Sequence, residues 1–408
     1  MEFGGRTRAR GRLWALLAMV TVAGVGCSSA TISGNPLPGL TPVDLRVLKT
    51  GAHPTEPTAY DPGFSTVFDV REIEARRMLN YLVLPSDIDS EIAELGDVQL
   101  FDDAGIPFIR KTIPEKYRPA LVDNKMLVGA YVSRINSDLR KRKKLIVSLL
   151  RFPTAAAAEQ AVTDMDRITF ADSDRHPIPV EGYPTAKASS ADDITMISVI
   201  ARDRLVFLVN AGVPQPDSVA LANIAKKTID VQFARLSQFV PTPFDDILDS
   251  PVDPDSIMRR TLPKSKDGTD PFYVDTDFGA LQGSGELHYE RNPVEAKKAF
   301  EEAGVDLVGR RASIVYRARD LAAAFRLQSV LMRTGRNDEE LPTPPGLPDA
   351  RCIRLDAGDV LRNFDEMCAV VYGRYVGVVA TKSKLAGGMN PDLYQRAAAQ
   401  YSVLVKGE

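Results

Sequence analysis

A chain of 408 residues, 44% of them hydrophobic, is longer than one hydrophobic core ordinarily serves, so two domains are the expectation. Its formal net charge of −3 argues against non-specific nucleic-acid binding, which needs a basic surface. After the N-terminal leader the longest apolar runs, such as 205–209 and 376–380, are strand-length, far short of the about 20 residues that cross a bilayer.

Residues 1–26 have the layout of a signal peptide. Arg6, Arg8, Arg10 and Arg12 form a positive head, and residues 13–25 are apolar apart from Thr21 and Gly24. That run is too short to span a membrane, and small residues follow it, which is the secretory pattern. Gly26-Cys27-Ser28-Ser29 resembles the bacterial lipobox, in which the cysteine thiol takes a diacylglyceryl group and becomes the mature N-terminus. Gly24 departs from that pattern, since a larger aliphatic residue usually stands there. The expectation is lipidation at Cys27 and a place outside the cytoplasm, held on the outer face of the cell membrane by lipid. Removing the four arginines and Glu2 with residues 1–26 takes the formal charge from −3 to −6.

Residues 27–62 are proline-rich with little periodicity and read as the lipid anchor and a flexible tether. An N-terminal domain is expected over 63–240. It opens with a helix over 71–84, stopped by Pro85. Strands follow over 126–135 and 145–152, then an alanine-rich helix capped by Thr154 and running to about Ile168. Residues 194–200 and 204–210 form a hairpin, and Asp217 caps a helix through Leu221, Ala225, Ile229, Phe233 and Leu236. The stretch 241–255 holds four prolines and five aspartates; a linker over 241–258 divides the chain there.

The C-terminal domain, 259–408, repeats that order. Asn292-Pro293-Val294-Glu295 starts a helix that Gly304 ends. A strand over 312–318 leads into a helix capped by Asp320. Residues 367–372 and 375–380 form a hairpin, and Asn390 starts the last helix. The hairpins at 201–209 and 371–379 align with an arginine at each turn, Arg204 and Arg374. The reading is an α+β fold: two related domains, each an antiparallel sheet with helices packed on one face, with internal duplication as the simplest account of the repeat. Cys352 and Cys368 lie in two neighbouring strand-like segments, and an oxidising compartment favours a disulfide between them. The alternatives are two buried thiols or a metal or redox pair.

Little in the chain carries chemistry. His53 lies in the tether, His176 in a loop and His288 in a short strand. No G-x-S-x-G elbow is present, and Gly283-Ser284-Gly285 reads as a turn before that strand. No zinc motif occurs; the alternating acids Asp87, Asp89 and Glu91, and Asp275 with Asp277, lack the rest of a calcium loop. Gly387-Gly388 lacks the spacing of a phosphate loop. No cofactor or metal is expected. The sharpest charge feature is Arg140-Lys141-Arg142-Lys143-Lys144, either a solvated hairpin loop or a surface for anionic lipid headgroups.

The mature chain resembles a group of uncharacterised actinobacterial lipoproteins, of mycobacterial and nocardial type. The segments that carry this are Gly63-Phe64-Ser65-Thr66, Asn80-Tyr81-Leu82, Leu84-Pro85-Ser86-Asp87-Ile88-Asp89, Gly285-Glu286-Leu287-His288-Tyr289, Ala303-Gly304-Val305-Asp306 and Val315-Tyr316-Arg317-Ala318-Arg319-Asp320. The resemblance implies a two-domain secreted protein without assigned activity. A non-enzymatic envelope protein that binds a lipid or protein partner between its domains is the leading expectation; an extracellular hydrolase and a structural scaffold are the alternatives.

Overall fold

Alternation of apolar residues builds the strands. In β3 (Lys144–Arg151), Leu145, Val147 and Leu149 enter one apolar cluster and Leu150 enters another on the opposite face. In β13 (Phe364–Tyr372), Met367, Ala369 and Val371 face one cluster and Cys368 and Val370 the other. Strands apolar on both sides must be covered on both sides. The helices accordingly pack on both faces of each sheet, where the sequence reading had them on one.

The computed structural model describes residues 39–171, 174–264, 270–271, 278–359, 362–383 and 390–407. The signal segment, Cys27, residues 275–277 and residues 387–388 lie outside them. The N-terminal half runs α1 (Val67–Leu79), α2 (Pro85–Ile88), β1 (Glu94–Phe101), α3 (Ile106–Ile109), α4 (Arg118–Val122), β2 (Val128–Ile135), β3, α5 (Ala155–Ala171), β4 (His176–Pro177), β5 (Lys187–Ser190), β6 (Thr195–Arg202), β7 (Leu205–Gly212) and α6 (Ser218–Leu236). The C-terminal half runs β8 (Gly279–Leu281), α7 (Gly283–Glu286), α8 (Pro293–Ala303), β9 (Leu307–Arg310), β10 (Ile314–Arg317), α9 (Leu321–Leu331), β11 (Glu339–Leu341), β12 (Arg351–Asp359), β13, β14 (Tyr375–Thr381) and α10 (Pro391–Lys406).

Both sheets are antiparallel, seven-stranded and of one topology. The first has the order β1-β2-β3-β7-β6-β5-β4 and the second, read from its β8 edge, β8-β9-β10-β14-β13-β12-β11. Helices fall at the same three places in each half: after the first strand, after the third and after the seventh. The correspondence reaches single residues. Arg151 pairs with Leu205 as Arg317 pairs with Tyr375. Phe152 N–H donates to Arg204 O, and Ala318 N–H to Arg374 O, each at 2.8 Å. Asp203 and Gly373, at equivalent turn positions, have φ of 52° and 54°, the left-handed region that Gly and Asp enter most readily. This is the repeat anticipated from the two hairpins.

Several boundaries differ from expectation. α1 starts at Val67, because Thr66 and Asp69 form a reciprocal capping box. It ends at Leu79, and Pro85 opens α2 at the first-turn position that proline tolerates. His288 is not in a strand; residues 283–286 form a short helix and His288 follows it in a turn. His176 lies in the short strand β4 rather than a loop.

The expected tether is also corrected from residue 40 onward. Leu40, Val43, Leu45 and Leu48 pack against the C-terminal half. Thr41 donates to Asp349 from its N–H at 2.7 Å and its hydroxyl at 2.9 Å. His53 Nε2 sits 2.9 Å from Asp392 Oδ1. Prolines limit this segment to one short 3₁₀ turn, Leu45–Val47, but do not stop its apolar residues from packing. The same holds for 241–258, where Ile247, Ile257 and Met258 are buried among short 3₁₀ turns. That stretch is an ordered strap rather than a free spacer.

Cys352 and Cys368 are disulfide-bonded across β12 and β13, directly opposite one another in register. The bond closes a loop with a sequence separation of 16. Cys352→Ser with Cys368→Ser is expected to cost about 3 kcal/mol, the loop-entropy figure for that length. Urea unfolding of the oxidised protein and the double variant measures it, and equal midpoints would count against a stabilising bond.

Candidate functional site

The two halves meet through interleaved side chains. Leu281 and Tyr289 of the C-terminal half lie in the main apolar cluster of the first sheet, while Leu84 lies in that of the second. Gly285 comes so close to α1 that an added Cβ would fall 2.2 Å from Asn80 Oδ1. Asn80 Oδ1 accepts the Gln282 N–H at 3.1 Å. Asp87 is bridged by Arg235 from one half and Lys297 from the other, each at 2.8 Å.

At the centre of this junction Arg134 reaches from β2 into a nest of carbonyls. Its Nη2 donates to His288 O at 2.8 Å, Glu290 O at 2.9 Å and Leu287 O at 3.3 Å, and its Nη1 donates to Ala93 O. Burial pulls its pKa down to about 10, with the nearby Arg362 adding to the effect. Beside it Arg310 bonds the buried Glu286 and lies 3.9 Å from the Tyr289 ring centre. Tyr316 OH donates to Glu290 at 2.8 Å, and Arg362 donates to Tyr289 O at 2.7 Å. Burial pushes the Glu286 carboxyl well above the usual range against the pull of Arg310.

His288 is wholly enclosed in this network. Its Nε2–H donates to Leu82 O at 3.2 Å, so the other nitrogen carries no proton in the neutral ring. Burial first, then Arg235 and Arg134, hold its pKa down at about 3. It contacts no hydroxyl through Nε2 and has no access to solvent, so it lacks what a general base needs. His176 does pair with an acid, Asp193, at 2.9 Å. Ser190 stands opposite it in register, but its hydroxyl turns to Thr195 O at 2.7 Å, and no triad forms.

Two cavities flank the junction. The larger, about 750 Å³, lies between α1 and the β8–β9 edge, closed by the segments around Tyr60 and Pro254. It is within the range of small-molecule sites. Its cations differ in how far they are neutralised. Arg317 is saturated, with Asp306 at 2.7 and 2.8 Å and Asp255 at 2.7 Å. Arg76 has Glu72 at 3.7 Å. Arg311 is the least compensated: its guanidinium lies 5.4 Å from the Tyr60 ring centre, and its Nη1 is buried without a hydrogen-bond acceptor. Burial lowers its pKa and raises that of Tyr60. Desolvation likewise raises Asp102 on the same wall. The second cavity, about 700 Å³, lies on the Glu94 and Arg362 side.

Among the described residues, none of the expected site residues lies in these cavities. The basic run is the β2–β3 hairpin loop, and its charges are unequally available. Lys143 bridges Asp89 at 2.8 Å and Glu91 at 2.7 Å, and Arg142 donates to Asn136 O at 3.0 Å. Lys144 is half-buried against Gly212, with its pKa lowered by burial. Of the five, Arg140 and Lys141 are the exposed ones. Of the alternating acids, Asp89 and Glu91 are paired with Lys143, and Asp87 with Arg235 and Lys297. Among the described residues no group of three acidic, histidine or cysteine side chains could hold a metal. The cleft residues were invisible to sequence reasoning because Tyr60, Arg76, Arg311 and Arg317 come from four separate segments. Phe64, Asn80, Asp306 and Arg317 of the cleft lining lie in segments that carry the family resemblance.

The junction gives a pH dependence with two arms. Glu286 has a raised pKa in the fold, so its contribution is complete below the ordinary carboxylate value and is lost as pH rises. His288 has a lowered pKa, so its contribution is complete above about 6.5 and is lost as pH falls toward about 3. Glu286→Gln is expected to flatten the alkaline arm and His288→Gln the acid arm in unfolding free energy against pH; unchanged arms would refute the assignment. Arg134→Met, which strands several carbonyls, should cost about 3 kcal/mol or more by the same measurement.

Comparison with known proteins bears on the family. Among curated proteins none matches. The extracellular domain of PknH from Mycobacterium tuberculosis is a solved structure with a TM-score of 0.29 and 13% identity, covering 38% of this chain and 93% of that one. Among the described residues no helix is long and apolar enough to cross a membrane. Residues 63–252 match the N-terminal domain of unknown function of the DUF7373 family, and residues 257–407 match its C-terminal domain of unknown function. With both domains present in order over most of its length, the chain belongs to the DUF7373 family.

Proposed function

We propose that this protein is a cell-envelope lipoprotein, anchored through Cys27, that binds a ligand carrying an anionic group in the cleft between α1 and β8–β9. The carrying observation is the cleft itself: about 750 Å³, with the Arg311 guanidinium on its wall lacking an acceptor for Nη1. A buried donor without a partner is costly, and an anionic ligand oxygen would supply one after a small side-chain rotation. Arg317 and its two carboxylates would form a fixed polar wall beside it. The signal-peptide layout and the lipobox at Cys27 support placement outside the cytoplasm.

Residues from Pro38 to Glu408 form one compact unit. Incubated with an envelope extract of its host, that unit is expected to retain a discrete anionic mass in native mass spectrometry. Arg311→Gln should weaken retention about tenfold or more, the equivalent of one charge-assisted hydrogen bond. An apo mass throughout, or equal retention by the variant, would sink the cleft reading. Anchoring is tested separately. Cys27→Ala should move the full chain from the membrane to the soluble fraction, and no change in fractionation would remove the lipid anchor.

A further inference from the structure

We propose that the N-terminal half carries a second, separate ligand site: a pocket for an anionic amphiphile at the turn end of the β6–β7 hairpin. The pocket measures about 390 Å³ and lies between the hairpin turn, the C-terminal end of α6 and the prolines of the strap, Pro241 and Pro243. Its floor is apolar, made by Leu205, Leu236 and Phe239. Its rim is cationic, made by Arg202 and Arg204, with Arg151 buried beneath them. An apolar floor under a cationic rim is the complement of a short acyl chain with a carboxylate or phosphate head.

Among the described residues Arg202 and Arg204 carry no paired carboxylate, and Arg151 has only a share of one. Arg202 donates to Phe233 O at 2.8 Å and stacks 4.8 Å from that ring's centre. Neither Arg202 nor Arg204 bonds a carboxylate among the described residues, and Arg204 is exposed at the turn. The Arg151 side chain is only 3% exposed and bonds Glu74 at 2.7 Å. It lies 4.7 Å from the Phe244 ring centre, and its Nε is buried with no acceptor. Glu74 is itself shared with Arg77, at 2.6 Å. Asp203 is the one carboxylate in the pocket lining.

The internal repeat supplies a reference. Arg317 occupies the position of Arg151 in the second sheet, and there two carboxylates, Asp306 and Asp255, saturate it. Arg374 occupies the position of Arg204, beside Tyr375. The C-terminal half therefore neutralises this corner, whereas the N-terminal half leaves it cationic over an apolar floor. A corner built only for stability would need no such surplus of positive charge.

The test is isothermal titration of the 38–408 unit with decanoate and decyl phosphate, below their micellar concentrations. Acetate, inorganic phosphate and decyl maltoside are the head-only and tail-only controls. Saturable binding of one molecule of decanoate or decyl phosphate, at least tenfold tighter than any control, is expected. Preference between the two heads tells a fatty acid from a phosphate-headed lipid. The Arg202→Gln/Arg204→Gln double variant should weaken it at least tenfold. The exposed single variant Arg204→Gln should weaken it measurably without affecting folding, and Arg311→Gln and Arg140→Gln should leave it unchanged. Equal binding of decyl maltoside, undiminished binding by the double variant, or loss in Arg311→Gln alone would overturn the proposal.

Discussion

Arg134 inserts one guanidinium from the first sheet into the carbonyls of residues 287, 288 and 290 of the second half. A charged group taken out of water must recover its hydration from the protein, and here it does so from backbone that belongs to the other half. The bond therefore forms only when both halves are folded and docked. Neighbouring groups obey the same constraint. Glu286 needs Arg310, Glu290 needs Tyr316, and His288 is kept neutral by burial against the Leu82 carbonyl. Leu281, Tyr289 and Leu84 then cross between the apolar clusters, so the two repeats behave as a single unit.

With the halves fixed by that network, the spaces beside it are defined. The cleft wall is α1 on one side and the β8–β9 edge on the other. Each is positioned by a contact near the junction, the Asn80–Gln282 bond and the close approach of Gly285. The polar groups on the wall take their character from the same burial: Arg311 loses acceptors, while Arg317 gains two carboxylates.

The two sheets show how one topology was put to different electrostatic uses. Equivalent arginines, Arg151 and Arg317, close equivalent strand ends. One is half-neutralised by a shared glutamate and faces an apolar pocket; the other is saturated and forms part of the cleft wall. The straps on either side of α1 contribute to both. Tyr60 lies beside Arg311, and Pro241, Pro243 and Phe244 surround Arg151.

What could be read along the chain was local. The caps at Thr154, Asp217, Asn292, Asp320 and Asn390 lie within a turn of the donors they satisfy. The two hairpins lie within ten residues of their own turns, and the disulfide joins neighbouring strands. Alternation identified these strands, but periodicity alone did not reveal that both faces would be covered, since that depends on which helices return. Segments without periodicity, 39–62 and 241–258, read as loose because proline bars regular hydrogen bonding, yet their apolar residues found surfaces made elsewhere. The sequence by itself determined the class of fold, its repetition and the cysteine pair, because each rests on short-range pattern. Only tertiary structure decided the cleft, the Arg134 network and which of the basic residues remained free. Those rest on partners that can lie far apart along the chain, such as Arg134 and Glu290 with a sequence separation of 156, whose meeting leaves no periodic trace.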